Sequence, residues 1–303
     1  MADLTPTGFR VLRAVAATGS LTAAGASLGY TQSAVSRQMA ALEAAAGHAL
    51  VERRRHGVLL TAAGRMLLRR AVRVLDEIDE AAAELADPSA SSGPVRLGAF
   101  PAALAGVVPA ALAGLPAGIE VSVREGTTPA LVRAVRAGTL DLALIAQTPP
   151  FRPPDAESPP LRLTRLEERD LHVAVGPDHP LAARGAVEVA ELEHQVWVAS
   201  RSDAGDSLLG VWPGLRERAD VRYVVRDWLA KLRLVEAGLA LTTVPAALLT
   251  DVRVDVRVLA VRGEPRETRR LLLAQRPEDG RVTGAPDPAV GAVARALGRA
   301  VTA

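Results

Sequence analysis

The first 86 residues carry apolar positions at helical spacing. In "SLTAAGASLGYTQSAVSRQMAALEAAAG", residues 20–47, Val35, Met39 and Leu42 recur at four- and three-residue steps and so share one helix face. Ser33, Ser36, Arg37 and Ala40 fall on the other face, with Gln32 in the first turn. Ser20 and Thr31 are N-cap residues, and Gly29 supplies the left-handed conformation that ends the earlier segment. The pattern predicts a short helix, a tight glycine turn and a second helix over residues 31–45. From about Thr61 to Ala86 runs a longer helix, in which Leu68, Ala71, Leu75, Ile78, Ala82 and Leu85 form a heptad seam. Such a narrow apolar stripe is not stable alone in water and requires a partner. Arg65, Arg69, Arg70 and Arg73 in its first half oppose Asp76, Glu77, Asp79 and Glu80 in its second, which favours an antiparallel second chain paired through Leu68, Leu75, Ile78 and Leu85. The alternative is that the seam packs on the chain's own domain.

"DPSASSGP", residues 87–94, breaks the helix and reads as a flexible linker. Beyond it the periodicity changes. "VRLGAF" (95–100), "IEVSVREG" (119–126) and "LDLALIA" (140–146) are strand-like, with helical stretches between, the second being "PALVRAVRAG" (129–138). Strand and helix in alternation predict βαβ units around a parallel sheet. A second such unit holds "LHVAVG" (171–176), "VWVAS" (196–200), "VRYVV" (221–225), the helix "WLAKLRLVEAG" (228–238) and "LTTVP" (241–245). "TRRLLLAQR" (268–276) and a helix near residues 290–301 close the chain.

Composition narrows the chemistry. None of the 303 residues is cysteine, so disulfides and thiolate metal sites are excluded and a reducing, cytoplasmic location is expected. No apolar stretch is long enough to span a bilayer, and the amino terminus lacks a signal-peptide pattern. A net charge of +2 points to no partner by itself, so any polyanion must be met by local clusters. Lys231 is the only lysine. The enzymatic candidates lack their signatures: there is no G-x-S-x-G around Ser202, no P-loop, and no metal-ligand spacing among His172, His179 and His194. A non-enzyme without metal or cofactor is expected.

Two short helices crossed at a glycine are a helix-turn-helix or an ordinary αα-hairpin with a solvated face. The segment after the second helix separates these two readings. "VERRRHGVLLTAAG" sets Arg53, Arg54, Arg55 and His56 at a turn between apolar runs, the pattern of a basic wing placed on phosphates. The second helix then presents Arg37, able to bridge guanine acceptors, and Gln32, able to pair with adenine.

"FRVLRAVAATGSLTAAGASLGYTQSAVSRQMAALE" (9–43) with "ALVERRRHGVLLTAAG" (49–64) resembles the LysR-type transcriptional regulators, and "AGTLDLAL", "HPLA" and "DWLAKLRLVEAGLALTTVP" extend the resemblance along the chain. It implies an α+β fold class: an N-terminal winged helix-turn-helix with a long linker helix, then a two-lobed α/β effector domain like periplasmic binding proteins. The expected divisions are 1–60 for DNA binding, 61–86 for the dimerising helix, 87–94 for the linker and 95–303 for the effector domain. Within the last, lobe 1 takes about 95–165 and 265–303, and lobe 2 about 166–264. The expected DNA-binding residues are Thr31, Gln32, Ser33, Ser36, Arg37, Arg53, Arg54 and Arg55. The expected partners are double-stranded DNA with dyad-related half-sites and further copies of the chain, as a dimer or, by the resemblance, a tetramer, with RNA polymerase as a further candidate and no membrane. Ser33 stands where many members have proline, and Val51 where many have phenylalanine. In "GAFPAA" Phe100, Pro101 and Ala102 offer no hydroxyl where many members bind an effector carboxylate.

Open α/β sheets bind ligands beyond the carboxyl ends of their strands. That rule selects Ala99, Phe100, Thr127, Thr128 and Gln147 from lobe 1, and Ser200, Arg201, Ser202, Asp227 and Trp228 from lobe 2. A small organic effector with an apolar or aromatic body and one or two polar groups is expected between the lobes. For Thr128 and Ser202 a helix N-cap is an equal alternative.

Overall fold

The computed structural model describes residues 3–54, 57–86, 93–155, 160–201, 208–245, 253–263, 267–277 and 287–302. Three helices open it: α1 (Pro6–Thr18), α2 (Leu21–Leu28) and α3 (Gln32–Ala46). Thr5, Ser20 and Thr31 cap them by accepting from the backbone N–H groups of Gly8, Ala23 and Ala34. The α2–α3 turn depends on two glycines. Gly29 ends α2 at φ 69°, where a side chain is strained. Gly25 lies so close to the following turn that a Cβ there would stand 2.7 Å from the Tyr30 carbonyl oxygen. The hairpin β1 (Val51–Arg54) and β2 (Gly57–Leu60) comes next, with Arg53 opposite Val58 and Arg54 opposite Gly57.

α4 (Ala62–Ala86) is the long helix expected from the heptad pattern, but its seam is used differently. Leu68 and Leu75 are 5% and 0% exposed, and with Leu67, Ala71 and Val72 they complete the core formed by Phe9, Val11, Leu12 and Val15 of α1 and by Val35, Met39 and Leu42 of α3. The expectation that Leu68 and Leu75 face a second chain is therefore corrected: their own chain covers them. The physical reason lies in α2 and α3, whose alanines supply too little apolar bulk to cover α1 unaided. Past Leu75 the seam emerges, with Ile78 half-buried and Ala82 exposed; the Leu85 side chain lies outside the described residues. The other side of α4 exposes Met66 and Val74, two turns apart.

The remaining strands form one large sheet in the order β4-β3-β5-β13-β6-β12-β7, with β11 also on β6, and a small sheet β10-β8-β9. These are β3 (Val95–Ala99), β4 (Val121–Glu125), β5 (Leu142–Gln147), β6 (Arg162–Val175), β7 (Ala186–Glu188), β8 (Val196–Arg201), β9 (Leu208–Leu209), β10 (Asp220–Val224), β11 (Thr242–Pro245), β12 (Arg257–Arg262) and β13 (Thr268–Gln275). The helices are α5 (Pro101–Ala105), α6 (Val107–Ala113), α7 (Thr128–Arg136), α8 (Trp228–Glu236) and α9 (Pro288–Thr302). The pairs β3/β4, β3/β5 and β8/β10 are parallel, as expected. β13 is antiparallel to both β5 and β6, because the chain leaves one lobe by β6 and returns by β13.

β6 belongs to both lobes. Its residues Arg162–Asp170 pair with β13, and Leu171–Val175 pair with β11 and β12. The handover falls at Asp170/Leu171, inside one continuous strand. On the first side, β3, β5, α5, α6 and α9 enclose Leu97, Val108, Leu144 and Leu297; on the second, Val173, Trp197 and Leu241 form a separate core.

Leu75→Ala is expected to cost about 2–5 kcal/mol by opening a cavity in the α1–α4 core. Chemical denaturation at several protein concentrations checks the origin of that cost. A destabilisation independent of concentration is expected; one that grows on dilution would place Leu75 between chains.

Candidate functional site

α3 is oriented by its buried stripe, so its other side is open. Thr31, Gln32, Ser33, Arg37 and Gln38 are exposed and Ser36 is half-buried. The Thr31 and Ser33 hydroxyls lie 3.0 Å apart. The hairpin meets this surface directly, for Arg53 Nη2 donates to Ser36 Oγ at 3.2 Å. Arg54 is exposed and bonds Glu52 at 2.5 Å, while Arg55 lies outside the described residues. Two anchors fix the hairpin. Glu43 Oε1 accepts from Leu50 N at 2.8 Å and Val51 N at 3.2 Å, and Val58 N donates to Gly19 O at 2.9 Å. Glu43 is a positioning residue that sequence reasoning passed over: a single acid in an alanine-rich helix gives no pattern to detect. The arrangement offers donors in several directions from one convex surface, as a helix that enters a groove requires.

The helical unit also touches lobe 1. Asp76 of α4 lies 3.9 Å from Arg13 of α1 and accepts from Arg276 Nη1, beyond β13, at 3.2 Å. Arg13 also meets Asp79 at 3.6 Å. Burial pulls the Arg13 guanidinium below its ordinary range, opposed by these two acids. Arg96 at the start of lobe 1 is held bidentately by Asp141, at 3.1 and 2.7 Å.

The second region lies at the strand ends between the lobes. Ala99 is fully buried, and Phe100, half-buried, is the N-cap residue that precedes α5. Thr127, not Thr128, is the N-cap residue of α7. Thr128 Oγ1 instead donates to Ala146 O at 3.2 Å and accepts from Ala146 N at 3.3 Å, which ties α7 to β5. Gln147 Nε2 donates to Arg152 O at 2.7 Å. Ser200 sits opposite Leu209 at the end of β8, while Ser202 and the Arg201 side chain lie outside the described residues. Asp227 caps α8 by accepting from Ala230 N at 2.6 Å, so one of its oxygens serves the fold. Trp228 borders both the lobe 1 core and the cluster of Val198, Leu232 and Val235 in lobe 2, which brings it and Phe100 to the same lobe 1 core. Its Nε1 is shielded from solvent without a hydrogen-bond partner. One turn along α8, Lys231 is 4% exposed, with its pKa pulled to about 8 by desolvation. Among the described residues no group of three acids or histidines is placed to hold a metal ion, and no helix is long and apolar enough to cross a membrane.

Comparison with known proteins agrees with this architecture. A family model described as the LysR substrate binding domain matches residues 88–299, and one described as bacterial regulatory helix-turn-helix protein, lysR family, matches residues 7–65. The chain belongs to the LysR family, with an N-terminal DNA-binding helix-turn-helix followed by an effector-binding domain. It is 32% identical over 286 residues to a probable hydrogen peroxide-inducible genes activator of Mycobacterium avium, covering 90% of this chain and 88% of the relative. It is 29% identical over 277 residues to a small neutral protease regulatory protein of Streptomyces coelicolor, covering 88% and 84%. Among solved structures, full-length CbnR complexed with its target DNA shares the fold, with a TM-score of 0.54 and 22% identity over 98% of this chain and 100% of that one.

Lys231→Met tests the unusual environment of this lysine. A lysine whose folded pKa lies below its unfolded value destabilises the fold fully below the folded pKa, and the cost vanishes above the unfolded one. A shift from 10.5 to about 8 corresponds to about 3 kcal/mol. The variant is expected to be more stable than the parent at pH 7 and to lose that advantage as pH rises through about 8 to 10.5. Thermal unfolding across that range reads it; an advantage that does not vary with pH would contradict the burial argument.

Proposed function

We propose that this LysR-family regulator reads operator DNA with α3 and grips its backbone with the hairpin, under the control of a small organic effector held between the two lobes. The observation that carries the first half is the Arg53–Ser36 contact at 3.2 Å. It joins the hairpin, one pair short of its turn, to the exposed side of α3, so base-reading and phosphate-binding groups form one surface. Gln32, Ser33, Ser36 and Arg37 face base edges, with Thr31 at the turn, and Arg53 and Arg54 meet phosphates, with Arg55 next in sequence. The effector set is Phe100, Thr127, Gln147, Ser200 and Trp228, beside Ala99, Thr128, Arg201, Ser202 and Asp227. Of these, Thr128 and Asp227 already serve the backbone.

The protein acts in the cytoplasm as a regulator and not as a catalyst, and it works as an oligomer on dyad-related half-sites. With Leu68 and Leu75 covered internally, the self-contact on α4 falls to the exposed Met66 and Val74 and to the half-buried Ile78, with Leu85 next along the seam in sequence. The inducer in the name of the mycobacterial relative does not transfer by thiol chemistry, because this chain has no cysteine for peroxide to oxidise.

Genome-wide mapping of bound DNA yields the operator, and two variants then test the interface on it. Arg37→Ala is expected to cost about 1–3 kcal/mol and to relax preference at one base position. Arg54→Ala is expected to weaken specific and non-specific DNA alike and to reduce the salt slope by about one. Unchanged specific binding by Arg37→Ala would overturn the assignment of the reading face.

A further inference from the structure

Lys231 is the only lysine in a chain of 36 basic residues, and it is almost fully buried. An arginine cluster needs little explanation in an arginine-rich chain, but a solitary lysine inside a lobe is a costly choice. Burying an ammonium group without a counter-charge is strongly unfavourable. Among the described residues no carboxylate lies within ion-pair distance of it. Nζ has three donors. Among the described residues it makes one hydrogen bond, to Leu209 O at 3.3 Å, and it stands 5.9 Å from the centre of the Trp228 ring. A second donor nearby is also unmet, the shielded Nε1 of Trp228. Both residues sit on the first two turns of α8, and Trp228 is the side chain that touches the cores of both lobes. Two buried donors with spare capacity, one of them cationic, thus lie one turn apart on α8, with Trp228 at the junction of the lobes. What satisfies them is an acceptor that carries negative charge. The apolar and aromatic borders, Phe100 and the Trp228 ring, favour an uncharged body behind it.

We infer that the effector is an organic monoanion whose charged head accepts hydrogen bonds from Lys231 Nζ and Trp228 Nε1 while its apolar body lies against Phe100 and the Trp228 ring. This rests on the cleft reading of the proposed function and names the ligand class of that site. The anion supplies the counter-charge that the described residues lack, so binding draws the lobes together around α8. It also holds Lys231 in its charged form.

Having one lysine makes the test direct. Full-length protein grown with 13C-lysine gives one Cε signal, whose pH titration reports Lys231 alone. The probes are acetate, inorganic phosphate and hexanoate, each at millimolar concentration. In the free protein the midpoint is expected near 8. Hexanoate is expected to move it upward, and more than acetate or phosphate, which have the charge without the apolar body. Lys231→Met, whose folding is checked by circular dichroism, is expected to bind hexanoate at least about tenfold more weakly, as the loss of a charge-assisted hydrogen bond implies. A free-protein midpoint near the ordinary lysine value of about 10.4 overturns the inference. So does a midpoint that none of the three anions moves, or hexanoate binding unaffected by Lys231→Met. The effector reading can fail separately. Hexanoate that titrates Lys231 yet leaves the footprint on operator DNA unchanged upholds the anion site and contradicts its control of DNA binding. An inducer response retained by Lys231→Met upholds the effector cleft and contradicts the anion site.

Discussion

The packing of α4 against α1 is the constraint on which the rest of the molecule depends. Leu67, Leu68, Ala71, Val72 and Leu75 close the core of the helical domain, so the first half of the long helix is part of the DNA-binding head and not a separate rod. A close-packed interface of this kind does not deform continuously; it moves as a body. α3 and the hairpin are fixed to the same body through Val35, Met39, Leu42 and the Glu43 contacts. Any force that turns α4 therefore turns the reading surface with it.

The effector domain has a corresponding element in β6. One strand of fourteen residues is hydrogen-bonded to lobe 1 through β13 and to lobe 2 through β11 and β12. The lobes are thus joined by a hinge with continuous backbone pairing, and Trp228 fills the junction from the side of α8. A ligand that binds better when the lobes lie closer shifts the population between two arrangements by its differential affinity. Lobe 1 reaches the head through the Asp76–Arg276 contact, which sets a charged joint between the sensing and reading parts of one chain.

The helical domain was readable in the sequence because short-range chemistry dictates it. Gly29, the caps Ser20 and Thr31, and the Val35–Met39–Leu42 stripe each act within a few residues, and each holds in the structure. The α4 stripe was also visible, but not what covers it. A periodic apolar face states that a partner exists and is silent on which one, and here the partner is α1. The first half of β6 escaped notice for another reason. "RLTRLEERD" has no clean alternation, since at the crossing its charged side chains pair with one another and with β13, as Arg270 does with Glu168 at 2.7 Å. β9, two leucines long, is too short to stand out, while β12, "RVLAVR", carries an apolar run that the sequence reading passed over. In the cleft, strand ends located the residues but not their duties. That Thr128 bonds Ala146 and Asp227 caps α8 is decided by backbone geometry across the fold. Lys231 was conspicuous only by being alone, and its burial became visible once α8 was placed.

The most direct test of a rigid head is a distance measurement. The absence of native cysteine allows a pair of spin labels at Ala23→Cys on α2 and Ala81→Cys on α4, both exposed positions. Double electron–electron resonance on the protein alone and bound to operator DNA reads the α2–α4 distance within one chain, with labelled chains diluted in unlabelled ones. A single narrow distribution, the same in both states, is the predicted result. A distribution that broadens or shifts when DNA binds would show that α4 moves independently of the reading helix, and would contradict the claim that the two form one body.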